Sequence, residues 1–364
     1  MLVFYGLVFV VFKRKKIIVD SFKQIIMKNS ILLFAIAFWS FIFHSTSLSA
    51  QENRPVLDIM LNNYKYPYEV KYFSFNSQGE DLKMGYMDVA ATDNPNGEVV
   101  VLLHGKNFNG AYWRELIAAL NKDGYRVIVP DQVGFGKSSK PVGYQFSFQQ
   151  LALNTKMLLE ELNVEKINLL GHSMGGMLAT RFALMYPEMC KKLILENPIG
   201  LEDWKTVASY TSIDQHYQNE LKATYESTRE YQNTFYYDKK WKENYDEWVY
   251  LLTGWVKSPD YPQVAMVNAK TADMIFTQPV VYEFKDLNVP TLLIIGTRDR
   301  TAIGKNTVKD PVVRESMGQY QLLGKKTQKL IKGSELVELD DVGHLPHIET
   351  FDRFIVPLKA FLKK

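Results

Sequence analysis

Short apolar runs alternate with helical stretches from Val99 towards the C-terminus. The apolar runs, each with the length of a strand, lie at residues 99–103, 126–130, 167–170, 192–195, 291–295 and 336–339. The helical stretches cover 112–122, 147–162 and 175–185, and a last one begins at about Ile348. Continuous apolar strands that alternate with helices are typical of a parallel sheet buried on both faces. The pattern therefore predicts an α/β fold with a mostly parallel central sheet flanked by helices.

Two further strands are predicted ahead of this alternation. Residues 70–75 and 82–89 have the aromatic and β-branched character of strands, and a polar turn at 76–79 separates them. Such turn-bounded runs are typical of paired strands. We therefore expect a hairpin before the parallel part of the sheet.

Residues 200–285 interrupt the alternation of strands and helices. This segment contains 17 of the 48 aromatic residues of the chain and four of its six tryptophans, and its pattern is mostly helical. A small subdomain that packs on itself and on its host explains most of these rings, although aromatic side chains also line apolar substrate pockets. We predict a helical cap at 200–285, inserted in a core formed by 51–199 and 286–364.

The first 50 residues have the pattern of a targeting segment. From Met27, a lysine precedes an apolar-rich run at 31–43, and small polar residues lead to Ala50, as in a secretory signal peptide. The 13-residue run is shorter than the roughly 20 residues that cross a bilayer as a helix, so no permanent membrane span is expected after cleavage. We expect cleavage after Ala50, with Ser49 as the alternative, and a periplasmic or extracellular protein.

Residues 1–26 precede this signal with another apolar stretch and four consecutive basic residues. They are either the product of a mis-assigned start codon or a real extension that forms an uncleaved anchor. The first alternative is favoured because Met27 begins a complete signal by itself. Residues 1–50 are therefore interpreted as an N-terminal extension and signal peptide.

The net charge of +3 belongs to this N-terminal segment. Residues 1–50 carry six basic residues and one acidic residue, so the rest of the chain has a net charge of −2. No basic footprint for nucleic acid remains, and we expect a small-molecule substrate as the partner. The single cysteine, Cys190, excludes an internal disulfide and is too few for a thiolate metal site.

The strongest signal for chemistry is a G-x-S-x-G sequence at 171–175. A predicted strand leads into it and a helical stretch follows, which is the context that this motif needs. In such a sharp turn, side chains at Gly171 or Gly175 would clash, and the central Ser173 is exposed at the end of the strand. A serine hydroxyl is weakly nucleophilic until a base takes its proton, so a histidine and an orienting carboxylate are expected elsewhere.

Both partners are predicted at the ends of the last two apolar runs, where Asp299 and His344 complete the chain order Ser, Asp, His. Asp273 is a weak substitute for the acid because it lies in the cap. His347 is a rival for the base, but Gly343 and the strand-to-loop position favour His344.

From about residue 97 onward, the chain apart from the cap resembles an α/β-hydrolase-fold serine hydrolase on these motifs. The resemblance implies the α/β-hydrolase fold, with the cap inserted before the strand that carries the acid. It also implies a catalytic triad of Ser173, Asp299 and His344 that needs no metal and no organic cofactor.

Two loops agree with the resemblance. His104-Gly105 directly follows a predicted strand, where such enzymes place the loop that completes the oxyanion hole. The resemblance implies that the backbone N–H groups of Lys106 and Met174 hold the oxyanion. Residues 131–138 are similar to the D-x-x-G-x-G-x-S loop of the same family, for which we infer a scaffolding role.

Other reactive side chains are interpreted as structural or solvated. His104 and His172 do not follow the strand that delivers the base, and Cys190 has no paired base in its local sequence. His216 lies in the cap and is expected to be solvated. The basic residues at 305–332 indicate a solvated helix face, or alternatively a basic lip that attracts an acidic substrate.

The resemblance implies hydrolysis of an acyl bond. Because the elbow carries Ser173, and not the aspartate of relatives that open epoxides or displace halide, a carboxylic ester cleaved through an acyl-enzyme is the favoured substrate. A C–C bond hydrolase and an acyltransferase use the same triad and remain alternatives. A non-catalytic binding protein with this fold is the alternative from another class. The oligomeric state is not predicted.

Overall fold

A computed structural model describes residues 54–364, so the predictions for residues 1–50 and their cleavage site lie outside the described residues. Eight strands form one sheet in the order β1-β2-β4-β3-β5-β6-β7-β8. The strands are β1 Val70–Ser77, β2 Glu80–Val89, β3 Val99–Leu103, β4 Arg126–Pro130, β5 Ile167–His172, β6 Cys190–Glu196, β7 Thr291–Gly296 and β8 Glu335–Leu339. Strand β2 pairs antiparallel with β1 and β4, and β3 to β8 form a parallel ladder. The predicted fold class is confirmed.

The β1–β2 hairpin closes through a two-residue turn. Gln78 and Gly79 both have positive φ angles, 55° and 79°. This conformation matches a turn whose twist suits the right-handed twist of the flanking strands. The two strands are each longer than predicted, because the polar residues next to the turn continue the pairing as far as Ser77 and Glu80.

Alternate residues of the central strands face two separate apolar layers. In β3, Val101 and Leu103 pack with one cluster, whereas Val100 and Leu102 pack with the other. Because side chains alternate along a strand, a sheet covered by helices on both faces needs apolar residues at every position. This requirement explains why the central strands are uninterrupted apolar runs in the sequence.

Helices cover both faces of the sheet. The α-helices outside the segment 200–285 are α1 Arg114–Lys122, α2 Phe148–Glu161, α3 Met174–Met185, α8 Pro311–Ser316, α9 Tyr320–Leu330, α10 Pro346–Glu349 and α11 Phe351–Leu362. Short 3₁₀ helices lie at Gly110–Trp113 and Lys305–Thr307. Leu151 of α2 and Phe182 of α3 pack in one apolar layer, and Leu116 of α1 and Phe354 of α11 pack in the other.

The segment 200–285 is predominantly helical and joins β6 to β7. Its α-helices are α4 Ile213–Glu220, α5 Tyr225–Phe235, α6 Asp246–Thr253 and α7 Tyr261–Thr277, with 3₁₀ helices at Trp204–Thr206, Glu243–Tyr245 and Val281–Asp286. We call residues 200–285 the inserted segment. Its aromatic side chains pack on one another, as in the parallel stack of Tyr237 on Tyr245 with ring centroids 3.9 Å apart. Among residues 54–364, no helix has the length and apolar character needed to span a membrane.

Candidate active site

Ser173 lies at a strained turn between β5 and α3. Its φ and ψ angles are 58° and −122°, a conformation that L-residues rarely adopt and that is concentrated at functional sites. The turn depends on two glycines, because a Cβ at Gly171 would lie 2.1 Å from the Gly175 carbonyl oxygen. A Cβ at Gly175 would lie 2.2 Å from the Leu103 carbonyl oxygen of β3. The G-x-S-x-G spacing therefore reflects close packing of the turn against its own helix and against β3.

The three residues predicted as a triad lie in one hydrogen-bonded chain. His344 Nε2 is 2.9 Å from Ser173 Oγ, and His344 Nδ1 is 2.6 Å from Asp299 Oδ2. Asp299 and His344 are fully buried, and Ser173 is 6% exposed. A carboxylate only accepts hydrogen bonds, so in the neutral form of His344 the proton is on Nδ1 and the lone pair of Nε2 faces the serine hydroxyl.

Asn197 holds the carboxylate of Asp299 and was missed in the sequence. Its Nδ2 donates to Asp299 Oδ2 at 2.9 Å, and its Oδ1 accepts from the Gly296 N–H at 2.8 Å. The second carboxylate oxygen accepts from the Thr301 N–H at 2.8 Å. The feature of the sequence that could have identified Asn197 is its position: it is a polar residue directly after β6, at the same sheet edge as the residues that follow β5 and β7. Sequence position alone did not distinguish this asparagine from an ordinary turn residue.

The predicted oxyanion donors, Lys106 and Met174, belong to two different segments that lie next to Ser173. Met174 follows Ser173 and begins α3, where the first N–H groups of a helix have no partner within the helix. Lys106 follows Gly105, and a Cβ at Gly105 would lie only 3.0 Å from Ser173 Cβ. The loop after β3 therefore passes close to the serine, as the predicted role of these two N–H groups requires.

His172 connects the three loops around the serine. Its Nε2 lies 2.7 Å from the His344 carbonyl oxygen, and its Nδ1 lies 3.1 Å from the Tyr112 hydroxyl. Burial holds the pKa of His172 well below its usual value, so the ring is neutral. Because a carbonyl only accepts, Nε2 carries the proton and Nδ1 accepts from Tyr112, whose oxygen accepts from the Gly105 N–H at 3.1 Å. This arrangement agrees with a structural role for His172.

The loop at 131–138 is joined by hydrogen bonds to segments around the site. Asp131 accepts hydrogen bonds from the Gly110 N–H at 2.6 Å, the Lys137 N–H at 2.7 Å and the Tyr66 hydroxyl at 2.7 Å. His104 Nε2 accepts from the Gln132 N–H at 3.1 Å. The contacts fit the inferred scaffolding role of this loop.

His347, the rival base, has a different partner. Its Nδ1 and its backbone N–H both contact Glu196 Oε1, at 2.8 and 2.9 Å, and both side chains are buried. The geometry thus brings His344 to the serine and directs His347 to the end of β6. His216 of α4, which was expected to be solvated, is half-buried. It is partly covered because α4 packs along α7.

Tyr236 of the inserted segment contacts the candidate base directly. Its ring stacks on His344 with centroids 4.5 Å apart and an interplanar angle of 27°. Its carbonyl oxygen accepts from the His344 N–H at 2.8 Å, and its hydroxyl accepts from Asn107 Nδ2 at 2.8 Å. No local motif marked this tyrosine among the many aromatic residues of the segment.

Arg298 links the loops that carry Asp299 and His344. Its guanidinium binds Glu349, whose Oε1 accepts from the Gly343 N–H at 3.1 Å, next to His344. It also donates to the Asp341 carbonyl oxygen at 3.0 Å and to the Tyr237 carbonyl oxygen of the inserted segment. Burial raises the pKa of Glu349, although the Arg298 charge opposes this shift. The ion pair is buried, with both side chains 8% exposed.

Comparison with known proteins identifies the family of this chain. Residues 98–351 match the family described as alpha/beta hydrolase fold. The chain belongs to the α/β-hydrolase family. The family resemblance expected from the sequence is thereby confirmed.

One solved α/β-hydrolase relative is similar over nearly its whole length. The crystal structure of a probable hydrolytic enzyme from Pseudomonas aeruginosa PAO1 is 47% identical with a TM-score of 0.83, over 85% of this chain and 99% of that one.

Two curated α/β-hydrolase relatives match over shorter regions. The cis-3-alkyl-4-alkyloxetan-2-one decarboxylase of Shewanella oneidensis is 41% identical over 28% of this chain and 32% of its own length. The 2-hydroxy-6-oxononadienedioate/2-hydroxy-6-oxononatrienedioate hydrolase of Comamonas testosteroni is 37% identical over 36% of this chain and 46% of its own length. The chain thus spans about a third to just under half of these relatives.

Metal ligation and thiol chemistry have no clear site in the part of the chain that the structure describes. No cluster of three or more His, Cys, Asp or Glu side chains with the geometry to hold a metal ion occurs among residues 54–364. Burial raises the pKa of the Cys190 thiol to about 12, which disfavours a thiolate at neutral pH.

Proposed function

We propose that this α/β-hydrolase is an exported serine hydrolase that cleaves a carboxylic ester. The observation that carries the proposal is the buried chain from Asp299 through His344 to Ser173, with contacts of 2.6 and 2.9 Å. This is the arrangement in which a histidine can remove the proton of a serine while a carboxylate orients the ring and stabilises its charged form.

The proposed reaction begins when His344 Nε2 takes the Ser173 proton and Oγ attacks the ester carbonyl. The carbonyl oxygen becomes an oxyanion, which the backbone N–H groups of Lys106 and Met174 stabilise by about 3 kcal/mol each. His344 then gives its proton to the leaving alcohol, and an acyl-enzyme remains on Ser173. Water, deprotonated by His344, attacks the acyl-enzyme and restores the serine.

The inserted segment is proposed to act as a cap over the acyl site. The stacking of Tyr236 on His344 supports this role, because it brings the segment into contact with the reacting groups. Aromatic walls around the acyl group would exclude water from the first step and favour apolar chains.

C–C bond hydrolysis is the second candidate for this site. It is favoured by the similarity to the Comamonas testosteroni enzyme, whose name describes hydrolysis of an oxo-dienedioate. Both reactions use the same nucleophile and base, so their separation depends on the substrate. An acyltransferase differs only in the acceptor that resolves the acyl-enzyme, and a binding protein with this fold would leave Ser173 unreactive.

The decisive experiment compares 4-nitrophenyl esters of increasing acyl length with a 2-hydroxy-6-oxo-dienoate, with Ser173→Ala as the control. Ester hydrolysis that is lost in Ser173→Ala supports the proposal, and preferred turnover of the dienoate supports the second candidate. A fluorophosphonate probe that labels wild type and Ser173→Ala equally would contradict a serine mechanism. Export is tested separately by sequencing the N-terminus of the protein recovered outside the cytoplasm, where a start at Gln51 or Ala50 is expected.

A further inference from the structure

Lys106, whose backbone N–H is a proposed oxyanion donor, carries a positively charged side chain. It follows Gly105, whose position lies against Ser173, and its side chain extends towards α4 of the inserted segment. There its Nζ lies 3.9 Å from Glu220 Oε1, and the two side chains are 17% and 29% exposed. The pair therefore connects the loop after β3, which passes Ser173 at Gly105, to α4 of the inserted segment.

Glu220 is held by hydrogen bonds to α7, whereas the Lys106 ammonium lies too far from Glu220 for a hydrogen bond. Glu220 Oε2 accepts from Asn268 Nδ2 at 3.2 Å, and the Glu220 carbonyl oxygen accepts from the Tyr261 hydroxyl at 2.7 Å, so α7 holds this residue. The ammonium of Lys106 has three donors, and its 3.9 Å separation from Glu220 is longer than a hydrogen bond. An additional acceptor would complete this environment, and a carboxylate is a strong one for an ammonium group.

The other titratable groups that face Lys106 leave its charge available. Burial lowers the pKa of His216 on α4, and the charge of Lys106 lowers it further, so this imidazole adds no positive charge at neutral pH. Asp273 of α7 acts on His216 as a second, more distant anion beside Glu220. At neutral pH the cluster therefore holds one cation, Lys106, and two carboxylates, of which Asn268 keeps Glu220 in place.

We propose that the Lys106 ammonium binds a carboxylate on the acyl part of the substrate, so that the enzyme prefers half-esters of dicarboxylic acids to neutral esters of the same length. This inference rests on the serine-hydrolase function proposed above. The acyl group is the part that stays bonded to Ser173 until the last step, and Lys106 belongs to the loop that passes the serine. Glu220 repels the incoming anion, so its charge limits the preference that Lys106 creates.

The test uses two substrates that differ in one charge. Mono-4-nitrophenyl glutarate and its neutral methyl ester have the same acyl length and the same leaving group. The measured quantity is the ratio of their kcat/KM values, which cancels any general effect of a substitution on the chemical step. The full chain is compared with Lys106→Met, Lys106→Arg and Glu220→Gln. Lys325→Met, which removes an exposed lysine of α9, is the matched control.

The expected results follow from the charges. Lys106→Met lowers the anionic-to-neutral ratio by about tenfold or more, the range expected for a lost hydrogen bond to a charged group. Lys106→Arg keeps most of the ratio because the positive charge remains, and Glu220→Gln raises it. Lys325→Met leaves the ratio unchanged.

Three contradicting outcomes can be distinguished. If both esters are hydrolysed through Ser173 but Lys106→Met leaves their ratio unchanged, the carboxylate subsite is wrong and the serine-hydrolase function stands. If Lys325→Met lowers the ratio as much as Lys106→Met, the preference comes from the general surface charge. If neither ester is hydrolysed and the fluorophosphonate probe does not label Ser173, both proposals fail.

Discussion

Asn197 illustrates, at the scale of a single residue, how a side chain outside the triad determines its geometry. The amide donates to Asp299 and accepts from Gly296, in a fully buried environment. In Asn197→Ala the Asp299 carboxylate and the Gly296 N–H each lose a hydrogen bond that water cannot replace, which costs about 1–3 kcal/mol of stability. Apart from His344, only the Thr301 N–H then orients the carboxylate among the hydrogen bonds described above, so we expect a fall in kcat with little change in KM.

The matched control for this prediction is Asn168→Ala. Asn168 is also a buried asparagine, but it lies near the N-terminal end of β5, opposite to the end that leads to Ser173. It donates to Glu98 at 3.1 Å. Urea unfolding should show a loss of stability for both variants, whereas kcat should fall only for Asn197→Ala. Equal kcat values for the two variants would show that Asn197 contributes to folding alone.

The buried histidines predict how stability depends on pH. Burial lowers the pKa values of His172 and His104 below the usual 6.5, so both rings are neutral in the folded protein. As the pH falls through 6.5, the unfolded chain takes up protons that the folded protein does not, so stability is present above this pH and is lost below it. Between pH 6.5 and 5.5, each ring that stays neutral costs up to about 1.4 kcal/mol.

The measurement is the free energy of unfolding in urea between about pH 7.5 and 5.5. We expect it to decrease towards the acid end in the wild type, and to decrease less in His172→Gln because one of the two rings is gone. The quantity compared between the variants is the slope of the unfolding free energy against pH, and not the stability at any one pH. An identical slope in His172→Gln would mean that this ring is not held neutral in the folded protein.

The central strands of the sheet were predictable because β3, β4, β5 and β7 are buried at nearly every position. The structure extends the predicted strands at 167–170 and 192–195 to Ile167–His172 and Cys190–Glu196. The missing residues, such as Gly171 and Glu196, are not apolar, and they belong to the strands only because neighbouring strands pair with them. Hydrogen bonding between distant segments leaves no local mark in the sequence, which also explains why Asn197 was not identified.

The basic residues at 305–332 were interpreted as a solvated helix face or, alternatively, as a basic rim of the active site that attracts an acidic substrate. In α9, Leu323, Gly324 and Thr327 are buried against the sheet. Lys325, Lys326 and Lys329 are exposed on the same helix, and Lys325 lies 3.3 Å from Glu338. This distribution is typical of a helix with one face on the sheet and one in solvent. The cation on the loop that passes Ser173 is instead Lys106, which lies near Glu220 of the inserted segment.

The Arg298–Glu349 ion pair connects the loop after β7 to α10. Because it is buried, substitutions of its two members are predicted to have non-additive effects on stability. Removal of Arg298 alone leaves the buried Glu349 carboxylate without its cation, so Arg298→Met is expected to cost about 3–5 kcal/mol. Replacement of both partners removes both charges, and Arg298→Met/Glu349→Leu should recover part of this stability. Because the pair also positions the loops of Asp299 and His344, kcat should stay low in the double variant even as stability returns.

A double-mutant cycle by urea unfolding, with kcat measured on each variant, tests this prediction. Lys364, which pairs with Glu335 on the exposed end of β8, offers a control pair. Lys364→Met should change stability by less than about 1 kcal/mol, because surface ion pairs contribute little. Additive effects at Arg298 and Glu349 would show that the two side chains are not coupled.

On the scale of the whole molecule, residues 56–66 fasten the inserted segment to the core. The Leu57 N–H donates to the Gly254 carbonyl oxygen at 2.9 Å, and Trp255 Nε1 donates to the Asp58 carbonyl oxygen at 2.7 Å. Further along, the Tyr66 hydroxyl donates to Asp131 of the scaffolding loop. We call residues 56–66 the strap. It was not predicted, since it has neither helical nor strand periodicity, and the partners that fasten it to Asp131 and Trp255 are more than 60 residues away.

The strap predicts that a substitution near its beginning loosens a segment almost 200 residues further along the chain. Leu57 is 1% exposed and packs against Gly254, so Leu57→Ala should cost about 2–5 kcal/mol of stability through the cavity that it leaves. The neighbouring Val56 is 44% exposed, and Val56→Ala should cost less than about 0.5 kcal/mol. Limited proteolysis followed by mass spectrometry should show faster cleavage within 200–285 for Leu57→Ala alone. Equal cleavage rates in the two variants would mean that the inserted segment is held by its contacts with the sheet and the triad loops, independently of residues 56–66.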